Sequence, residues 1–279
     1  TLDCPSTGIL TGHVTRHLEI VLNGSQKDMH SPIDFYVTRL GSADDFALIG
    51  REITNHHAGP ANVSQNIACT DEHHADNEHP HCIDIHNIQL NDGAKAYGPH
   101  DYLTYLAVED MKQAYKTAHK LKISHQCTYL HPELGGYYKP IASGTYCFKH
   151  PAPVVINDHL RLTGEGDFVF IIDYPFTYPD QNTLFVSPGV EFILEDGAET
   201  KNIYWFVRGS VETNPYSKFP GSIVGTGNFE SEDYGTGTLI DGRVLLIPDK
   251  YTDSAEPHDG EIELYGNTVI NPASHHDKE

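Results

Sequence analysis

The amino-acid sequence predicts a mainly β fold in which one α-helix accompanies many short strands. Glycine and proline punctuate the chain at short intervals, with 24 Gly and 17 Pro in 279 residues. Short apolar runs lie between them, and only one stretch has helical periodicity. Many short strands beside a single helix favour a solenoid, a sandwich or a barrel over an alternating α/β sheet.

The predicted helix covers residues 101–121, where apolar side chains recur every three or four positions and charged residues lie between them. The recurring positions are Leu103, Leu106, Ala107, Met111, Ala114, Ala118 and Leu121. Such an amphipathic helix is expected to pack along the β structure.

The predicted strands after this helix are short and separated by turn residues. They cover residues 154–156, 168–172, 184–186, 190–194, 203–207, 222–224, 238–240, 244–247, 261–264 and 268–270. Pairs such as Asp241-Gly242 predict turns between them.

The rest of the chain divides by composition. Residues 40–55 lead into a strand, residues 56–86 have the polar composition of a loop, and residues 273–279 form a polar tail. Residues 1–39 form an N-terminal extension with two strand-like stretches that could pair with each other or with another molecule, and the assembly hypothesis uses the second alternative. The predicted assembly contacts are Cys4, Leu18, Ile20, Leu22, Phe35 and Val37.

The charge balance restricts the partners. With 18 Lys and Arg against 39 Asp and Glu, the formal net charge is -21. Such a surface repels nucleic acid and attracts divalent cations, basic partners or mineral surfaces. No apolar run approaches the roughly 18 residues that a membrane-spanning helix requires, so membrane insertion is not expected.

Cysteine and asparagine motifs predict an exported protein. Cys69, Cys82, Cys127 and Cys147 are the disulfide candidates, which leaves Cys4 over, and Cys69 with Cys82 would tie the ends of the polar loop. Asn23 and Asn62 begin glycosylation sequons. A chain that starts at Thr1 rather than Met is read as a mature, secreted form.

An ordered set of glycine-marked strand motifs resembles the ice-binding-protein-like domain family over residues 40–272. The motifs include Leu134-Gly135-Gly136, the segment 160–170, Asn202-Ile203-Tyr204-Trp205-Phe206-Val207, Phe219-Pro220-Gly221-Ser222-Ile223 and Gly242-Arg243-Val244-Leu245. The resemblance implies a discontinuous, three-faced β-solenoid with one long α-helix packed alongside, usually secreted and without enzymatic activity. The matched residues are core and turn positions, so they bear on fold more than on function.

The late coils depart from what ice binding requires. An ice-binding face is expected to be flat and to carry small residues and Thr, whereas this chain carries Glu230, Glu232 and Asp233 after Phe229. These charges would disturb an ice-like array of water.

The polar loop predicts a metal site by composition. Its candidate ligands are His73, His74, Asp76, His79, His81, Asp84 and His86. Imidazoles suit transition ions and carboxylates suit calcium, and calcium is favoured here over zinc or copper. The alternative is a solvated polar loop without metal, and no cofactor is required.

Three functions fit these observations. Because no nucleophile elbow, phosphate loop or dinucleotide motif is present, no enzyme is expected. The favoured hypothesis is a secreted structural protein that assembles with copies of itself into a fibre, coat or adhesive bridged by cations. The alternatives are an ice-binding protein and a monomeric module that binds glycan or a cell surface through tyrosines such as Tyr137 and Tyr138.

Overall fold

The chain winds into a three-faced β-solenoid with one α-helix along its side. The computed structural model describes residues 40–56, 59–71, 75–76, 79–80, 82–84, 87–91, 93–124, 126–136, 139–148, 152–173, 182–231, 238–247, 260–265 and 268–270. Of residues 75–76, 79–80, 182 and 269 only the backbone is described.

The described elements are numbered in chain order. The strands are β1 Phe46–Gly50, β2 Glu52–Asn55, β3 Ala61–Val63, β4 Asn66–Cys69, β5 Ala75–Asp76, β6 His79–Pro80, β7 Ile88–Leu90, β8 Ala96–Tyr97, β9 Thr128–Leu130, β10 Glu133–Leu134, β11 Ile141–Phe148, β12 Val154–Ile156, β13 Leu160–Asp173, β14 Asn182–Val186, β15 Phe192–Glu195, β16 Ile203–Arg208, β17 Ser210–Thr213, β18 Lys218–Gly225, β19 Phe229–Ser231, β20 Leu239–Leu246, β21 Glu261–Leu264 and β22 Val269–Ile270. The helix α1 is Tyr102–Ile123, so the helix predicted at 101–121 is confirmed with its end two residues later.

Each coil of the solenoid contributes strands to three faces, and the strands within each face run parallel. The open face is the seven-stranded sheet in the order β10-β12-β14-β17-β19-β21-β2. The helix face contains β8, β4, β1, β16 and β9 together with the C-terminal parts of β20, β18, β13 and β11. The side face contains β7, β3, β22 and β15 with the N-terminal parts of β20, β18, β13 and β11.

The solenoid is discontinuous, as the resemblance implies. Strand β1 pairs with β20 on one side and with β4 on the other, and β2 pairs with β21. The first coils of the chain therefore stack on its last coil. Helix α1 then carries the chain from β8 to β9 at the opposite end of the stack, where β9 pairs with β11.

The interior of the solenoid is filled by inward side chains of all three faces. Tyr146, Phe170, Trp205 and Phe219 form an aromatic row, with ring centroids 5.5, 4.1 and 5.2 Å apart. The indole N–H of Trp205 donates to the carbonyl of Pro220 at 3.1 Å. The single tryptophan therefore fills the core without leaving its polar atom unpaired.

Helix α1 docks through small residues. Ala107, Met111, Ala114, Ala118 and Leu121 are buried against a second apolar cluster on the helix face, which contains Phe46, Ala68, Val169, Ile171, Tyr204, Phe206, Val224 and Leu245. Alanines allow the helix axis to approach the sheet closely. The prediction that Leu103 lies on the buried side is wrong, because Leu103 is 44% exposed and its neighbour Thr104 is 2% exposed.

Two carboxylates fix the helix at its middle and its end. Asp110 accepts hydrogen bonds from the backbone N–H of Ser42 at 2.8 Å and from its hydroxyl at 2.6 Å. Asp173 lies beside the last turns, where Lys122 Nζ donates to Oδ2 at 2.9 Å and His119 Nδ1 lies 3.1 Å away. The Asp173 carboxylate thus joins the C-terminal part of the helix to the end of β13.

Two further sequence interpretations need correction. Asp241-Gly242 is not a turn, because both residues lie inside β20, where the strand passes from the side face to the helix face. A Cβ on Gly242 would lie 1.7 Å from the carbonyl oxygen of Gly221. Glycine is required here by the close approach of two backbones and not by a hairpin.

The polar loop 56–86 is the second correction. Strands β3 and β4 lie within it, and Ala61, Val63, Ile67 and Cys69 are fully or almost fully buried. Residues 61–69 therefore complete a coil of the solenoid. The low apolar content misled the interpretation because a strand of three or four residues needs only two inward side chains.

Substitution of Gly242 tests the close approach at this corner. We expect Gly242→Ala to lower the free energy of unfolding by about 3 kcal/mol or more, because the new methyl group meets backbone. Gly225→Ala is the matched control, since its Cβ would meet the flexible end of Leu246 at 3.1 Å and the carbonyl oxygen of Val207 only at an ordinary contact distance of 3.6 Å. Urea unfolding measures both variants, and equal losses would contradict the explanation.

Substitution of Asp173 tests the anchor of the helix. We expect Asp173→Asn to lower the free energy of unfolding by about 1–2 kcal/mol, because Lys122 and its neighbouring cation Arg208 lose a largely buried partner. Glu109→Gln removes a carboxylate that pairs with Lys112 but is 47% exposed, against 10% for Asp173, and we expect it to change stability by less than about 0.5 kcal/mol. A loss at Glu109 as large as that at Asp173 would show that burial of the carboxylate is not the cause.

Candidate functional site

The open face is a sheet in which one outward side chain of each strand belongs to a single column, and β2, β17 and β21 each have a second outward residue. Along its short strands buried and part-exposed residues alternate, as in Phe229, Glu230 and Ser231 of β19. The part-exposed positions follow the register of the parallel strands. In order across the sheet the column contains Glu133, Val155, Phe185, Glu212, Glu230, Glu263 and Thr54. Neighbouring members are about 4.8 Å apart at the backbone, the spacing of paired strands.

Between Glu133 at one end and Thr54 at the other, the column has two chemically different parts, so carboxylates border the uncharged part on both sides. Val155 and Phe185 form an uncharged part on β12 and β14. Glu212, Glu230 and Glu263 follow on three adjacent strands and are called here the glutamate ladder.

Polar neighbours orient the glutamate ladder. Asn214 Nδ2 donates to Glu212 Oε1 at 3.0 Å, and the hydroxyl of Tyr265 donates to Glu263 Oε2 at 3.1 Å. Burial raises the pKa of Tyr265 above its usual range, and the hydrogen bond to Glu263 raises it further. Tyr265 is therefore a neutral donor at neutral pH.

Side chains also fix the strand ends that border the open face. Ser210 Oγ accepts from the backbone N–H of Asn228 at 3.2 Å, and Asn228 Oδ1 accepts from the N–H of Glu261 at 3.1 Å. Arg51 pairs with Glu261 and lies 3.6 Å from Asp71. These contacts hold successive coils in register and keep the sheet rigid.

The side face is less regular. The 3-10 helix Thr200–Asn202 packs against β18 and β20, and Pro220 is buried. Burial raises the pKa of Asp241, and a hydrogen bond with Thr200 lowers it in part. Cross-strand pairs are frequent on this face, with Arg161 Nη2 2.5 Å from Glu195 and Lys218 Nζ 2.6 Å from Glu191. The open face therefore offers the longer uninterrupted array of strands.

The metal prediction falls mostly outside the described residues. Of its seven candidates only Asp84 has a described side chain, and Asn87 Nδ2 donates to Asp84 Oδ2 at 2.9 Å. No group of three or more His, Cys, Asp or Glu suited to a metal occurs among the residues that the structure describes. A calcium site in the polar segment stays a prediction.

Four of the cysteines form two disulfides. Cys69 bonds to Cys82, with Cα atoms 6.0 Å apart, and Cys127 bonds to Cys147, with Cα atoms 5.7 Å apart. The second bridge ties the segment after α1 to β11. Asn62 lies on β3 of the side face, half-buried, and its amide donates to the carbonyl of Pro60.

Several predicted residues lie outside the described part of the chain. They are Cys4, Leu18, Ile20, Asn23, Leu22, Phe35, Val37, Tyr137 and Tyr138. The predictions made for them stay predictions.

The solenoid, the docked helix and the open face together define the class of protein. The family described as Ice-binding-like matches residues 49–250, and this chain belongs to that family. A curated relative, Ice-binding protein 1 of Shewanella frigidimarina, is 30% identical over 97 residues. That match covers 33% of this chain and 10% of the relative, so the chain spans about a tenth of that protein's length.

Solved structures have the same fold. An ice binding protein from an Antarctic biological consortium superposes with a TM-score of 0.64 and 21% identity, over 86% of this chain and 93% of the other. An ice-binding protein from the Antarctic ascomycete Antarctomyces psychrotrophicus gives a TM-score of 0.60 and 17% identity, over 85% and 98%. An ice-binding protein from an Arctic yeast gives a TM-score of 0.58 and 19% identity, over 88% of this chain and 98% of the other.

The prediction of a self-assembling structural protein is wrong. The matching family and the relatives named above are ice-binding-like, and they support the alternative function instead. The mistaken inference rested on residues 1–39 as assembly strands, and these lie outside the described residues.

No helix among the described residues is long and apolar enough to cross a membrane.

Sequence reasoning missed most of the open face. It noted Glu230 as a charge in a late coil, but it did not align Glu230 with Glu212, Glu263, Val155 or Phe185. The sequence shows the alternation of apolar and polar residues within each short strand. It does not show the register between strands whose paired residues are 18 to 33 positions apart along the chain.

Proposed function

We propose that this protein binds ice and slows the growth of ice crystals, without catalysis, and that the open face makes the contact. The observation that carries the proposal is a regular column of outward side chains across seven parallel strands in a member of the ice-binding-like family.

The rigidity of the open face supports adsorption to a solid. Its five inner strands are held by parallel pairing on both sides, and side-chain bonds such as that between Asn228 and Glu261 fix strand ends. A surface that is already ordered loses little conformational freedom when it binds. Many weak contacts repeated along the sheet can then add to a stable attachment.

The uncharged part of the column is the best candidate for ordering water. Val155 and Phe185 present apolar groups beside one another on adjacent strands. Water next to apolar surface keeps its hydrogen bonds to other water molecules, which is compatible with an ice-like layer. Charged groups instead bind water strongly through their own oxygens or hydrogens.

We infer that the protein is secreted, which would place it where ice forms. Two disulfides support this inference, because disulfides form and persist in oxidising compartments. The net charge of -21 favours solubility in the absence of a partner.

Reduction of the disulfides tests their structural importance. We expect dithiothreitol to lower the free energy of unfolding by about 2–4 kcal/mol for each bridge that is opened, since the unfolded chain gains freedom. Urea unfolding with and without reductant provides the measurement. An unchanged midpoint after mass spectrometry has shown complete reduction would mean that the bridges do not stabilise the fold.

A lysine placed in the uncharged part tests the ice-binding function. We expect Val155→Lys to reduce recrystallisation inhibition by about tenfold in effective concentration, because the ammonium group keeps its hydration shell. The matched control is Ala142→Lys on the exposed side face, which should retain the wild-type activity.

Thermal hysteresis and ice-crystal shape measured on the wild type decide the function itself. Faceted crystals and a freezing temperature below the melting temperature support ice binding. Round crystals that grow as in buffer, at every concentration up to the solubility limit, would refute it.

A further inference from the structure

The glutamate ladder occupies the centre of the surface proposed to contact ice. Glu212 is in register with Glu230, and Glu230 with Glu263, so three carboxylates follow one another on adjacent strands. Phe185 lies directly before the ladder and Thr54 directly after it. The ladder therefore separates the uncharged part of the column from the only hydroxyl-bearing member of the column.

The hydrogen-bonding capacity of a carboxylate conflicts with an ice-like layer. Ionised carboxylate oxygens only accept hydrogen bonds, whereas each water molecule in ice donates two and accepts two. Water molecules beside the ladder are forced to point hydrogens toward the protein. A threonine hydroxyl at the same position both donates and accepts, and its methyl group leaves nearby water undisturbed.

The contacts of the ladder keep its carboxylates in place. Asn214 holds Glu212, and Tyr265 holds Glu263 as a donor that remains neutral. His56 also lies nearby, with Nε2 3.7 Å from Glu263 Oε2 and 3.0 Å from the hydroxyl of Thr54. These contacts therefore hold the glutamate side chains at the face and limit their motion in solvent.

From this geometry we propose that Glu212, Glu230 and Glu263 set the extent of the ice contact, confining adsorption to the part of the open face around Val155 and Phe185. This inference rests on the proposed function. It assigns to the three residues a restrictive role in ice recognition, and it follows that the fold can support stronger adsorption than the wild-type sequence delivers.

The test replaces the ladder while preserving the sheet. A triple variant with Glu212→Thr, Glu230→Thr and Glu263→Thr places β-favouring residues in register with Thr54. We expect the concentration for half-maximal recrystallisation inhibition to fall by about tenfold, which corresponds to about 1.4 kcal/mol of adsorption free energy.

Two further triple variants separate position from charge. Glutamine at the same three positions removes the charges with little change of shape, and it should also increase activity. The control carries Glu109→Gln, Glu165→Gln and Glu199→Gln, which removes the same charge from residues away from the open face and should behave as the wild type. Circular dichroism and thermal unfolding check that each variant is folded.

The wild type and the variants answer different questions. Ice shaping by the wild type supports the proposed function whatever the ladder does. With an active wild type, folded ladder variants whose activity is unchanged or lower would overturn the inference alone. An equal gain in the off-face control would overturn it as well, since net charge would then be the cause. A wild type without activity beside an active ladder variant would overturn the proposed function and support the restrictive role.

Discussion

The stacking of the first coils on the last coil is the constraint on which the rest of the structure depends. Because β1 pairs with both β20 and β4, the N-terminal coils lie at the far end of the solenoid from the coil that follows them in sequence. The chain must then return along the whole stack. A 22-residue helix rises by about 33 Å, which suits a connection across many strands spaced by about 4.8 Å.

The return of the chain also determines which faces remain available. Helix α1 buries its alanines against the helix face and is fastened by Asp110 and Asp173. The 3-10 helix at 200–202 packs against β18 and β20. The open face keeps its register along the column of part-exposed side chains, with one irregularity between Asn182 and Leu184 at the start of β14, so the path of the connections leaves this sheet available as the proposed contact surface.

The sequence predicted the helix and many of the strands because these signals are local. The alternation in 261–264 and the three- and four-residue spacing from Ala107 to Leu121 can be read within a few turns of the chain. The stack of Gly242 on Gly221 could not be read locally, so Asp241-Gly242 resembled a hairpin turn. The same limit hid the glutamate ladder, since Glu212, Glu230 and Glu263 become neighbours only when three coils are superposed. The three-faced, discontinuous architecture itself came from the resemblance and not from periodicity.

The open face can change its chemistry while the fold stays the same. Glu230 lies between Phe229 and Ser231, both fully buried, and the same alternation holds for Val155 between Val154 and Ile156. The inward residues fill the core, whereas the outward residue contributes little to it. This division accounts for solved structures that share the fold at 17 to 21% identity. It also explains why core motifs identified the family here, whereas the proposed adsorption to ice depends on the outward column, where this chain carries carboxylates.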